Sequence, residues 1–444
     1  MSKNNIVKVL IFAAVVVAGA LLLVFVPDFK SSGLELKKVD VLADIRKNNV
    51  SGAATDTVIN QIEPKYADTC KSGVVCFEDF SPARNALARF YQALSSKRRV
   101  NIAYFGDSFI EGDLLTGSLR YLLQKEYGGN GVGFVPINCV TAGFRTTVIT
   151  SASGWGEHCL TDEVFDHSKQ GLSGYYFIPQ ANATATFSSR TAEHQTDTCS
   201  EAAFYFRTDG NLKFTTTINR QTTEQHSATG SSDIQKIAVT GKIGHIRITI
   251  NNPGTNTVFF GVTLDKENSG IVVDNYSLRG ISGETLKSIP AKTLTDFDKL
   301  RHYDLIVLQY GLNVATKTGH DYDYYKKRMT AVIKYLQENL PESDILLVSI
   351  GDRAAKINGE MTTMPGVKNL IATQQAIAAD CGIAFWNLMD VMALDGGIVE
   401  YVNSKPSKAN LDYTHINIRG GDVVAKHLFE TIEYGKEKYL EKKK

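Results

Sequence analysis

The sequence predicts an α/β protein: a five-stranded parallel sheet sandwiched by helices, carrying an inserted antiparallel β-sandwich module. Three observations predict it. Short apolar runs alternate with helix-period segments in two separated parts of the chain. Between those parts lies a stretch rich in Thr, Ser, Asn and Gly with period-two alternation. Several apolar runs end in glycine-bearing turns, the kind of junction at which open α/β sheets hold reactive groups.

The first strand is the run from Val100 to Phe105, which ends in the turn Gly-Asp-Ser108 and leads to a helix-period segment with Leu115, Leu119, Leu122 and Leu123. Before it, Pro82 to Lys97 reads as a helix with Leu87, Phe90 and Leu94 on one face. Four more runs, Ile271 to Tyr276, Asp304 to Tyr310, Asp344 to Ile350 and Ile383 to Leu388, lack polar alternation and suit strands buried on both faces. Helix patterns separate them: Met329, Val332, Ile333, Leu336 and Leu340 in one, Val367 to Cys381 in another, and Val424, Leu428 and Ile432 at the end.

The middle stretch behaves differently. Leu212 to Ile218, His245 to Ile250 and Thr257 to Val262 alternate at period two, with turn residues between such runs. Inserted between the first and second strands of the sheet, this module must leave and return at nearby points. Its Trp155, Tyr175, Tyr176 and Tyr205 lie at strand spacing, where aromatics belong to a core rather than to a ligand surface. The expected division is therefore 1–27 anchor, 28–79 tether and lead-in, 80–145 first part of the α/β domain, 146–270 inserted module and 271–444 second part.

At 444 residues, 43% hydrophobic and 21% charged, the chain can bury a large core, and its net charge of +1 gives no nucleic-acid footprint. The segment Val9 to Val26 carries no charge and is long enough to cross a bilayer as a helix, with Lys3 and Lys8 before it and Asp28 after it. This predicts a single-pass anchor with the bulk of the chain on the extracytoplasmic, periplasmic side of a bacterial inner membrane; a cleaved signal peptide is the alternative. Of six cysteines, Cys70 and Cys76 suit a local disulfide, Cys159 and Cys199 form a second candidate pair, and Cys381 belongs to the core. No Cys or His cluster has zinc spacing, so neither metal nor cofactor is expected.

Three further turns fall where the sheet's carboxyl ends belong: Arg279-Gly-Ile-Ser-Gly283-Glu-Thr285, Tyr310-Gly-Leu-Asn313-Val314 and Asp412-Tyr-Thr-His415. With Gly-Asp-Ser108, this ordered set resembles the SGNH (GDSL-like) hydrolase superfamily over about 98 to 127 and 270 to 435. The resemblance implies a flavodoxin-like fold, a catalytic Ser108, His415 and Asp412, and an oxyanion hole made by the N–H groups of Ser108 and Gly283 and the amide of Asn313. One departure is visible: Val314 stands where the family's third block carries an aspartate. Asp107 is expected to stabilise its turn rather than to act in the triad.

The inserted β module after the nucleophile's helix resembles that of bacterial peptidoglycan O-acetylesterases, where it is carbohydrate-binding-like. The resemblance implies a serine esterase, a carboxylic ester hydrolase that removes O-acetyl groups from an envelope polysaccharide such as peptidoglycan. The alternatives are an O-acyltransferase acting on an envelope glycan and a catalytically decayed, anchored glycan-binding protein.

Overall fold

The structure is a computed structural model that describes residues 29–31, 34–36, 70–96, 98–190, 198–266 and 269–443. It comprises two compact units, Met1–Val58 and Ile59–Lys444. Within the stretch expected to be a tether, the first unit contains an antiparallel pair of short strands, β1 (Phe29–Ser31) and β2 (Leu34–Leu36). The apolar run Val9 to Val26 lies outside the described residues. Among the described residues no helix is long and apolar enough to cross a membrane.

In chain order the second unit begins with β3 (Glu78–Asp79), α1 (Ala88–Leu94), β4 (Val100–Gly106) and α2 (Thr116–Tyr127). Nine antiparallel strands follow: β5 (Gly131–Val135), β6 (Val148–Cys159), β7 (Tyr175–Ser189), β8 (Cys199–Thr208), β9 (Leu212–Ile218), β10 (Thr222–Ala228), β11 (Ser231–Ile243), β12 (His245–Asn252) and β13 (Val258–Asp265). The chain then resumes with β14 (Ile271–Ser277), α3 (Ala291–Arg301), β15 (Leu305–Gln309), α4 (Asp323–Asn339) and β16 (Asp344–Val348). A hairpin, β17 (Ala354–Ile357) and β18 (Glu360–Thr363), precedes α5 (Pro365–Cys381), β19 (Ala384–Trp386), α6 (Leu388–Leu394), α7 (Gly397–Asn403) and α8 (Ile418–Lys442).

Five strands pair in parallel in the order β14-β4-β15-β16-β19, the 2-1-3-4-5 order of flavodoxin-like sheets. Every residue of β4, β15 and β16 is buried, which is why these runs lack polar alternation. A sixth strand departs from expectation: β3, placed by the sequence in the lead-in, pairs antiparallel with β19. Two residues are too few to show a period.

The antiparallel strands form two runs, β10-β9-β12-β7-β6 and β5-β13-β8-β11, which join where Phe259 pairs with Phe177. Phenylalanines meet between them: Phe204 lies 6.5 Å from Phe187 and 6.1 Å from Phe214. Two expectations are corrected here. Gly131–Val135, assigned by the sequence to the α/β part, is an antiparallel strand against β13. Cys159 and Cys199 are both free, because they sit on strands with other neighbours, whereas Cys70 and Cys76 are bonded. Cys381 is half-buried. Tyr175, Tyr176 and Tyr205 are core residues, and the Trp155 indole donates to the Thr184 carbonyl while packing on Phe259.

The module leaves after Gly128 and returns at Ile271, whose N–H donates to the Gly128 carbonyl at 2.9 Å. Buried ion pairs hold it to the sheet. Arg145 and Thr147, just before β6, bond to Asp113 beside the first turn, and Arg120 pairs with the same carboxylate. On the other side Arg301 of α3 joins Asp265 of β13 to Asp274 of β14, and Arg99 pairs with Asp265. Charges this deep are tolerated only when paired and hydrogen-bonded.

Candidate active site

β4 must end tightly. A Cβ at Gly106 would come within 2.8 Å of the Ile110 side chain and 2.9 Å of the Gln309 carbonyl oxygen, so the chain turns there on a residue without one. In the turn that follows, the Phe109 N–H donates to Asp107 Oδ1 at 3.0 Å. Ser108 Oγ then lies 2.9 Å from His415 Nε2, across 307 residues of sequence.

The histidine is held from behind by its own loop. Asp412 Oδ1 accepts from the N–H groups of Thr414 and His415, each at 3.0 Å, while Oδ2 lies 2.7 Å from His415 Nδ1. One carboxylate thus closes the turn and orients the ring. Tyr413 between them adopts a left-handed conformation with φ of 53°, and its carbonyl accepts from the Ala354 N–H. Partial burial works against the Asp412 charge, yet the hydrogen bonds from His415 and Thr414 hold its carboxyl below the usual range. The pair remains open to water, with the His415 side chain 33% exposed and that of Asp412 47% exposed.

The other two predicted residues come from neighbouring strand ends. Ser277, Gly106 and Gln309 stand opposite one another at the ends of β14, β4 and β15, so the loops beyond them lie side by side. Gly283 has φ of 87°, and a Cβ there would approach the Tyr310 ring to 2.6 Å. Asn313 is exposed, and its Nδ2 donates to the Ile281 carbonyl at 2.8 Å, tying the β15 loop to the loop of Gly283. An amide nitrogen carries two hydrogens, so one remains for a ligand. The structure therefore brings Ser108, His415 and Asp412 into direct contact and places Gly283 and Asn313 on the adjoining loops.

No family model matches the sequence, and no curated protein matches it. Among solved structures, one described as a peptidoglycan O-acetylesterase in action is 19% identical, covers 82% of this chain and 99% of its own, and superposes with a TM-score of 0.66. The chain has an SGNH hydrolase-like fold. An acetyl xylan esterase (21% identity, 36% of this chain and 80% of its own, TM-score 0.27) and a lipase/acylhydrolase from Enterococcus faecalis (15%, 37% and 77%, TM-score 0.28) show looser likenesses.

Within this SGNH-like frame, Val314 packs as a half-buried apolar residue where the family pattern has an acid. Asp107 is 1% exposed. Burial raises its carboxyl to about 6 against the pull of the Phe109 and Leu312 N–H groups, the His415 ring and the Gly311 N–H. Its Oδ1 accepts from the Phe109 N–H within the turn, the role expected of it.

Several supporting residues had no signal in the sequence. Arg353 donates to the carbonyls of Leu312 and Ala315, and Gln374 of α5 donates to that of Tyr310, so the Asn313 loop is braced from distant parts of the chain. Neither residue sits in a motif or at a telling spacing.

Proposed function

We propose that this chain is a serine esterase that removes O-acetyl groups from an envelope polysaccharide such as peptidoglycan. The observation that carries the reading is the relay Ser108 Oγ to His415 Nε2 and His415 Nδ1 to Asp412, at 2.9 and 2.7 Å. In this reading Ser108 Oγ attacks the acetyl carbonyl carbon as His415 takes its proton. The N–H groups of Ser108 and Gly283 and the Asn313 amide receive the oxyanion. As the C–O bond to the sugar breaks, His415 returns the proton to the leaving sugar oxygen, and acetyl-Ser108 is then hydrolysed by a water that His415 deprotonates, releasing acetate.

The solvent-exposed imidazole supports hydrolysis over transfer to a second sugar, because water reaches the base directly. The intact relay speaks against a decayed binding protein. The substrate class rests on the likeness to a peptidoglycan O-acetylesterase along most of the chain. The run Val9 to Val26 supports an anchor that would hold the enzyme at the extracytoplasmic face of a membrane.

The test has two arms. A fluorophosphonate probe is expected to label the protein and to fail on Ser108→Ala, and the protein is expected to release acetate from O-acetylated peptidoglycan. An unlabelled native protein refutes the esterase. Labelling with no acetate release from the acetylated glycan, alongside turnover of long-chain esters, refutes the substrate.

A further inference from the structure

The loop that carries Gly283 is fastened at both ends in the same unusual way. At its start Arg279 makes two bonds to Glu111, at 2.9 and 2.8 Å, and its guanidinium lies 5.9 Å from the centre of the Phe144 ring. At its end Glu284 pairs with Arg328 at 2.7 Å; that guanidinium lies 5.3 Å from the Tyr324 ring and donates to its hydroxyl at 2.7 Å. In each case a carboxylate fixes an arginine and the arginine steadies an aromatic ring.

Both rings face solvent, Phe144 at 43% and Tyr324 at 69% exposure. Phe144 comes from the base of the inserted module and lies against Gly112, four positions beyond Ser108. Tyr324 belongs to the first turn of α4, which follows the loop bearing Asn313. Five peptide steps separate Arg279 from Glu284, so the two anchors are at most about 18 Å apart. Both rings therefore border the loops that carry the site: Phe144 touches Gly112 in the turn after Ser108, and Tyr324 is tied through Arg328 to Glu284, next to Gly283.

We propose that Phe144 and Tyr324 are paired subsites that grip a polysaccharide strand on either side of the ester being cleaved. The proposal rests on the esterase reading and deepens it, because it names an internal unit of a long glycan, rather than an acetylated monosaccharide, as the substrate. A pyranose presents a face of C–H groups that packs on the negative face of an aromatic ring. The neighbouring guanidinium N–H groups of Arg279 and Arg328 are suited to donate to ring hydroxyls. Because the rings are already held, little side-chain freedom is lost when the strand binds.

The experiment compares the full chain with Phe144→Ala, Tyr324→Ala, the double variant and Tyr324→Phe. O-acetylated peptidoglycan strands and p-nitrophenyl acetate are the two substrates, and thermal unfolding shows that each variant is folded. The ratio of kcat/KM on the polymer to that on p-nitrophenyl acetate is expected to fall more than tenfold in each alanine variant, through KM, and further in the double variant, whereas Tyr324→Phe, which keeps the ring and loses only the hydroxyl bond from Arg328, is expected to fall less than Tyr324→Ala. In the Ser108→Ala background, co-sedimentation with the polymer is expected to weaken in parallel. A ratio within twofold of wild type in the double variant overturns the subsites alone. A wild type that hydrolyses p-nitrophenyl acetate but deacetylates no polymer overturns the substrate reading, and the subsites with it.

Discussion

Replacing Asp412 by asparagine separates the two jobs of this side chain. Its Oδ1 accepts from the N–H groups of Thr414 and His415, both at 3.0 Å, and an asparagine oxygen can keep both bonds. Its Oδ2, 2.7 Å from His415 Nδ1, becomes an NH2 group that can only donate. Nδ1 must then act as acceptor, the ring proton moves to Nε2, and the imidazole no longer receives the proton of Ser108. A wrong tautomer with intact geometry costs about 10³ to 10⁴ in kcat, or roughly 4 to 5.5 kcal/mol of barrier. Asp412→Ala behaves differently. It removes a charge-assisted hydrogen bond worth about 1.5 to 3 kcal/mol, together with the two backbone bonds of the turn, which water can replace, but leaves Nδ1–H free to bond water, as the 47% exposure of this side chain allows. Its loss is therefore smaller, about 10- to 10²-fold. Initial rates of p-nitrophenyl acetate hydrolysis, with thermal unfolding as a control on folding, check both values. An asparagine variant as active as the alanine variant, or one retaining more than a tenth of wild-type kcat, refutes the tautomer argument.

Other perturbations follow from the same geometry. Asn313→Ala removes the proposed oxyanion donor and the bond to Ile281, and kcat on a small ester is expected to drop about 10²- to 10³-fold with KM little changed. Gly283→Ala forces a Cβ into a left-handed residue and against the Tyr310 ring; a loss of about 1 to 3 kcal/mol in denaturant unfolding, together with lower kcat, is expected. Asp107 carries a pKa raised from 3.8 to about 6, so its contribution to stability is full below 3.8 and is lost as pH rises through about 6. Relative to Asp107→Asn, the wild type is expected to lose about 3 kcal/mol of unfolding free energy between acid and neutral pH; parallel pH profiles would refute this. Arg301→Met leaves the buried Asp274 carboxylate without its cation and Asp265 with Arg99 alone, and is expected to cost about 3 to 5 kcal/mol, read as a lower denaturant midpoint.

What the chain states locally is legible without coordinates. Residues 102–105 and 305–308 are apolar throughout because a strand covered on both faces has no polar side, and that constraint is written within a few consecutive residues. The Gly-Asp-Ser108, Gly283, Asn313 and Asp412-x-x-His415 turns are likewise local, each set by its own short sequence. Signals shorter than a period, or shared between distant segments, are not legible. β3 is two residues long, and Gly131–Val135 pairs with a strand some 130 positions later. Cys159 and Cys199 have plausible chemistry for a bond, but strand order places each beside other partners.

The sequence by itself determined the alternation of strands and helices, the insertion of a β module and the identity of the candidate nucleophile, base and acid. Only the tertiary structure decided that Ser108 and His415, 307 residues apart, meet at 2.9 Å, and that Arg279 and Arg328 clamp the Gly283 loop beside two exposed rings. The physical reason is one of range. Turn and strand preferences act over a handful of bonds, whereas these contacts depend on the strand order 2-1-3-4-5, which emerges from the packing of the whole sheet and appears in no single segment.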